Sequence, residues 1–140
     1  MKEIIFLVVD DYDGVRAVLH VAIEDYCKDR GIGCEVLVAS NGREAFPILN
    51  EKYIDVLLTD VKMPFMGGEE LVQLLDIISH PTVPIMMTGI EGYKPPEEIR
   101  FAVEGLLKKP ISEEYLYWVL DRIIEDIHKK ETKENEKNKE

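Results

Sequence analysis

Five polar side chains stand where a buried apolar run stops. Asp10 and Asp11 follow the run at residues 4–9, and Asp60 follows the run at 54–59. Thr88 follows residues 83–87, and Lys109 follows residues 105–108. Short β-branched runs of this kind read as strands buried on both faces, as in a parallel sheet. In open α/β sheets the ligand site lies beyond the carboxyl ends of the strands. Taken singly, the five are ordinary: an Asp after a strand is usually a turn residue, and a terminal Thr or Lys is usually solvated. On one sheet edge they become three carboxylates, a hydroxyl and an ammonium. Carboxylates a few ångströms apart repel by roughly 4 kcal/mol per pair at an effective dielectric near 20. Such a cluster needs a cation or raised pKa values. Hard oxygen ligands suit Mg²⁺, which takes one or two carboxylates and keeps waters that a phosphate can replace. A carboxylate can also act as a nucleophile toward phosphorus. Lys109 and Thr88 would then hold the phosphoryl oxygens. The residue types suit phosphoryl transfer to an aspartate.

The elements that must position these groups are legible as alternating runs. Strands are expected at residues 4–9, 34–39, 54–59, 83–87 and 105–108. Asp13-Gly14 starts a first helix that Gly31 stops. A second helix follows Ser40-Asn41-Gly42, with Pro47 near its first turn. Gly68 opens a third. Pro95-Pro96 is tolerable only at a helix start, so a fourth is expected from there to about residue 103. Ser112 caps the last helix, with Glu113 and Glu114 favourable to its dipole. Five strand-helix units with short connections require right-handed crossovers. The fold class is therefore α/β, a doubly wound five-stranded parallel sheet with helices on both faces. One domain is expected over residues 1–128, with 129–140 a charged helix end or a disordered tail.

Composition narrows the function. The net charge of −11 argues against non-specific binding to nucleic acid or anionic membranes. No apolar run approaches a membrane span. Met1-Lys2-Glu3 leads directly into a strand, without a secretory signal. Cys27 and Cys34 form no metal-ligand pattern and read as reduced thiols in a cytoplasmic protein.

Beyond these readings, the sequence resembles a receiver domain of the two-component response regulators, over residues 3–128. The resemblance rests on Asp10-Asp11, Arg16, Asp60-Val61-Lys62-Met63-Pro64-Phe65-Met66-Gly67-Gly68, Pro84-Ile85-Met86-Met87-Thr88 and Lys109-Pro110, in that order. It implies a flavodoxin-like (βα)5 fold and a stand-alone, single-domain signalling role. It implies that Asp60 is the phosphoacceptor. Mg²⁺ would be bound by Asp11, Asp60 and the backbone carbonyl of Lys62, supported by Asp10. Thr88 and Lys109 would contact the phosphoryl group and relay its presence. The donor would be a phosphohistidine of a sensor histidine kinase or a phosphotransfer protein. The chain would catalyse only its own phosphorylation and dephosphorylation. Two positions depart from the family pattern. Gly89 follows the switch threonine, and Leu106 stands where the family usually has an aromatic ring that swings inward. The response is therefore expected mainly in residues 89–103.

An Mg²⁺-dependent phosphatase or phosphotransferase acting on a small substrate is the alternative. It would want a second catalytic acid two residues after Asp60, where Lys62 stands. A receiver-like domain that is never phosphorylated is a third reading, against which the intact Asp, Thr and Lys set argues. On the last helix, Tyr115, Trp118 and Arg122 fall opposite Leu116, Leu120 and Ile123. These three types are enriched at binding hot spots. A downstream protein partner or a second subunit is expected there, unless a loop or the tail covers Trp118.

Overall fold

The computed structural model describes residues 2–139. Five strands form one parallel sheet: β1 (Ile4–Val9), β2 (Cys34–Ala39), β3 (Val56–Asp60), β4 (Val83–Thr88) and β5 (Gly105–Lys108), in the order β2-β1-β3-β4-β5. Four helices cover it: α1 (Asp13–Asp29), α2 (Gly42–Glu51), α3 (Gly68–Ile77) and α4 (Glu113–Asn138). The period-2 alternation of the strands sorts the core into two layers. Ile4, Phe6 and Val8 face α1 and α4, meeting Ile23, Leu116 and Leu120. Leu7 and Val9 face α2 and α3, meeting Leu49, Leu71 and Leu75. The strand order reverses between β1 and β3. That places a crevice at their carboxyl ends, where Asp10 and Asp60 lie.

Most expected elements form where the apolar pattern put them. β3 starts and ends later than residues 54–59, so Asp60 is its last residue. Asp55 caps the strand entry instead, its carboxylate accepting from the Ile5 amide at 2.8 Å. Pro47 lies inside α2, in the second turn, beyond the first-turn position expected. The amino end of α2 is secured by Asn41, whose side chain accepts from the Glu44 amide at 2.9 Å. Glu44 reaches back to the Ser40 amide at 3.0 Å, a reciprocal pair that offsets the missing donor of the proline. Ser112 caps α4, its hydroxyl accepting from the Tyr115 amide at 3.3 Å. The charged stretch beyond residue 128 continues as exposed helix to Asn138.

The fourth expected helix, residues 95–103, is not a helix. Successive turns replace it: the amides of Ile99, Arg100 and Ala102 donate three residues back, to Pro96, Glu97 and Ile99. The reason is nucleation. A helix this short needs tertiary burial to form, and here only Ile99 is buried.

Candidate functional site

β1 and β3 deliver the acids, and the loop after β5 delivers the lysine. Asp10 is fully buried and Asp60 is 7 % exposed, whereas Asp11 is exposed. One carboxylate oxygen from each of Asp10, Asp11 and Asp60 lies within 4.8 Å of the others. The Lys109 ammonium donates to Asp10 Oδ2 at 2.6 Å and lies 3.2 Å from Asp60 Oδ2. Burial, then the Asp10 charge, pushes the Asp60 carboxyl above the usual carboxylate range, against the pull of Lys109. Burial alone would lower the Lys109 pKa. The Asp10 hydrogen bond and the Asp60 and Asp10 charges outweigh it, so the value is raised and the ammonium stays charged.

Thr88 ends β4 beside them, and its backbone carbonyl accepts from the Lys109 amide at 2.8 Å. Its hydroxyl accepts from the Ile90 amide at 3.0 Å, which leaves its own proton free to be donated. Lys62 is exposed at the rim, two residues past Asp60. The acids and the lysine are therefore one constellation, with Thr88 on its border.

Some of the positioning was invisible in the sequence. Arg16 Nη1 donates to the Asp10 carbonyl at 2.6 Å, and the same guanidinium pairs with Asp13. The Tyr12 amide donates to Asp10 Oδ1 at 3.0 Å. Together these fix the peptide that precedes Asp11. Arg16 is among the residues that carry the family resemblance, but Asp10 lies outside α1, so their spacing does not reveal the clamp. The loop after Asp60 is held as tightly. The Gly68 amide donates to the Val61 carbonyl at 2.9 Å, and the Gly42 amide to the Met66 carbonyl at 2.9 Å. A Cβ on Gly68 would lie 2.2 Å from the Asp60 carbonyl oxygen, so only glycine permits this approach.

The model of the response regulator receiver domain matches residues 6–121. The chain belongs to that family. Receiver domains are phosphoacceptor signalling modules, and the small-substrate phosphatase reading is not favoured. Among relatives, the receiver domain is 33 % identical over 100 residues to the uncharacterized transcriptional regulatory protein YesN of Bacillus subtilis, covering 67 % of this chain and 27 % of that protein. It thus spans about a quarter of that relative's length. A receiver domain protein of Clostridium thermocellum superposes with a TM-score of 0.76 at 25 % identity, covering 89 % of this chain and 97 % of the other. The chemotaxis protein CheY4 of Vibrio cholerae does so with a TM-score of 0.72 at 29 % identity, covering 87 % and 99 %.

Proposed function

We propose that Asp60 accepts a phosphoryl group from a phosphohistidine of a sensor histidine kinase or a phosphotransfer protein. The observation that supports this best is the pairing of a buried carboxylate at a strand's carboxyl end with a lysine 3.2 Å away. A carboxylate oxygen of Asp60 attacks phosphorus. The bond from phosphorus to the donor imidazole nitrogen breaks, and an aspartyl phosphate forms. Lys109 and the free Thr88 proton receive the phosphoryl oxygens. An apolar groove lined by Tyr12, Val18, Pro110 and Ile111 adjoins Lys109 and offers room for a protein donor. The reaction ends on the chain itself, in the cytoplasm. Excess acetyl phosphate with Mg²⁺ should label the protein with one phosphoryl group. Rapid catalytic turnover of a simple phosphate ester would count against this reading.

The donor set fits Mg²⁺. Three clustered carboxylates against one ammonium leave two excess negative charges on hard oxygen atoms. Asp10, Asp11, Asp60 and the Lys62 carbonyl would hold the ion, which when bound supplies positive charge opposite the phosphoryl oxygens. Asp11→Ala removes one ligand. It should raise the Mg²⁺ dissociation constant about tenfold or more and slow labelling in parallel. Undiminished Mg²⁺ binding in a calorimetric titration would remove Asp11 from the set.

A partner surface is supported on α4. Trp118 is 52 % exposed and is not covered by any described residue that would bury it. It stacks on Tyr115 with ring centroids 5.6 Å apart, and the Arg122 guanidinium lies 4.8 Å from its ring. Such a preordered ladder suits a downstream protein partner or a second copy of this chain. Trp118→Ala should leave Asp60 labelling intact and weaken association by at least about tenfold. Unchanged association with a downstream partner, or unchanged self-association in sedimentation if the partner is a second copy, would reject this face.

A further inference from the structure

The segment between Thr88 and those turns carries one side chain tied to α3, the helix that follows the phosphoacceptor's loop. Tyr93 is partly buried beside Val61, Val72, Met86, Ile99 and Leu106. Its hydroxyl donates to Glu69 Oε1 at 2.7 Å. Glu69 lies in the first turn of α3, next to Gly68, where the chain passes too close to the Asp60 carbonyl for any side chain. In the other direction, the Tyr93 amide donates to the Ile90 carbonyl at 3.3 Å, and the Ile90 amide donates to Thr88 Oγ1 at 3.0 Å. Thr88 is thus linked through Ile90 and Tyr93 to Glu69. Leu106 shares this cluster but has no ring, and among the described residues Tyr93 is its one aromatic member.

We propose that Tyr93 reports phosphorylation: its bond to Glu69 holds the unphosphorylated arrangement and is released when Thr88 is drawn to the phosphoryl group. The proposal rests on the phosphoacceptor reading above and adds the residue that transmits it. Movement of Thr88 toward Asp60 pulls on the Ile90 amide, the next link. Gly92, at φ +71°, lets the backbone pivot between Ile90 and Tyr93 at little cost. No helical ladder resists the movement. The ring and hydroxyl of Tyr93 move as one rigid group, so a shift of about an ångström is enough to part a hydrogen bond of normal length. A contact made in only one of two states biases their equilibrium by its own differential free energy. Removing it should favour the phosphorylated arrangement.

Beryllium fluoride with Mg²⁺, a non-covalent stand-in for the phosphoryl group, tests this on the full chain by calorimetric titration. Tyr93→Phe keeps the ring and its packing and deletes the donor. Glu69→Gln keeps the shape of the acceptor and removes its charge. Each should tighten binding by roughly three- to tenfold. The double variant should bind no tighter than Tyr93→Phe alone, because both changes act on the same bond, which the first deletes and the second weakens. With 3-fluorotyrosine incorporated, the Tyr93 fluorine resonance, assigned by its loss in Tyr93→Phe, should shift when the analogue binds. Unchanged or weakened affinity in both single variants overturns the proposal, as do additive effects or an unmoved Tyr93 resonance. If the unaltered protein binds no beryllium fluoride with Mg²⁺ present, the phosphoacceptor reading itself fails, and this proposal fails with it.

Discussion

Asp60→Asn abolishes uptake of a phosphoryl group from acetyl phosphate and leaves a more stable protein. The two results have one cause. The Asp60 carboxylate is buried 3.2 Å from one ammonium and faces the Asp10 carboxylate across the same crevice. Burial and the Asp10 charge raise its pKa, so its ionised form is held at a cost in the folded state. The amide keeps the shape, removes that cost and lacks the nucleophilic oxygen. The Lys109 bridge to Asp10, at 2.6 Å, survives the change. Stability at neutral pH without Mg²⁺ should rise, because the amide removes a buried charge whose ionised form the folded site disfavours. Intact-protein mass spectrometry reads the first result and chemical denaturation the second. A single phosphoryl group still found on the variant would place the acceptor elsewhere. A loss of stability would mean that the Asp60–Lys109 attraction outweighs the burial cost.

Gly68→Ala damages both stability and chemistry. The added methyl would sit 2.2 Å from the Asp60 carbonyl oxygen and 3.2 Å from Thr59 Oγ1. The first of these is backbone in a central strand, bonded through the neighbouring Val61 amide to the Met87 carbonyl, and it cannot swing aside. α3 must therefore back away from β3 or Asp60 must rotate. Overpacking of this kind costs about 1–3 kcal/mol, and the closeness of the contact points to the upper end. Misplacing the acceptor by about an ångström should also slow phosphorylation roughly a hundredfold. Gly14→Ala is the natural contrast. Nothing lies within 4 Å of the added methyl, and the site is in the first turn of α1. That change should stabilise by about 0.5–1 kcal/mol. Equal denaturation midpoints for the two variants would refute the steric account.

The strands and the acids were legible because burial on both faces writes itself as apolar runs, and an acid ending such a run stands out. That Asp10, Asp60 and Lys109 would meet at one sheet edge needed only strand ends and parallel topology; their separate roles came from the family resemblance. What escaped were contacts that depend on rotation about a helix or on long sequence separation. The Arg16 clamp requires the phase of the first turn of α1. The Tyr93–Glu69 bond joins residues 24 positions apart, one in the connection after β4 and one in the first turn of α3. The fourth helix was misread because Pro95-Pro96 is as compatible with a chain of turns as with a helix start. The burial of one side chain, Ile99, could not tip the balance toward helix. The charged stretch after residue 128 was ambiguous for a related reason, since solvated helix and coil have the same composition.

That chain of turns also bears on how fast a signal can start and stop. A packed helix shifts as a body over microseconds to milliseconds, because its neighbours must repack together. A segment held by single-turn hydrogen bonds rearranges in nanoseconds to microseconds. Around Thr88 the lag between chemistry and response is therefore negligible beside the lifetime of an acyl phosphate. On the function proposed above, the duration of the output would be set by hydrolysis at Asp60, and the segment that follows Thr88 would keep pace with it in both directions.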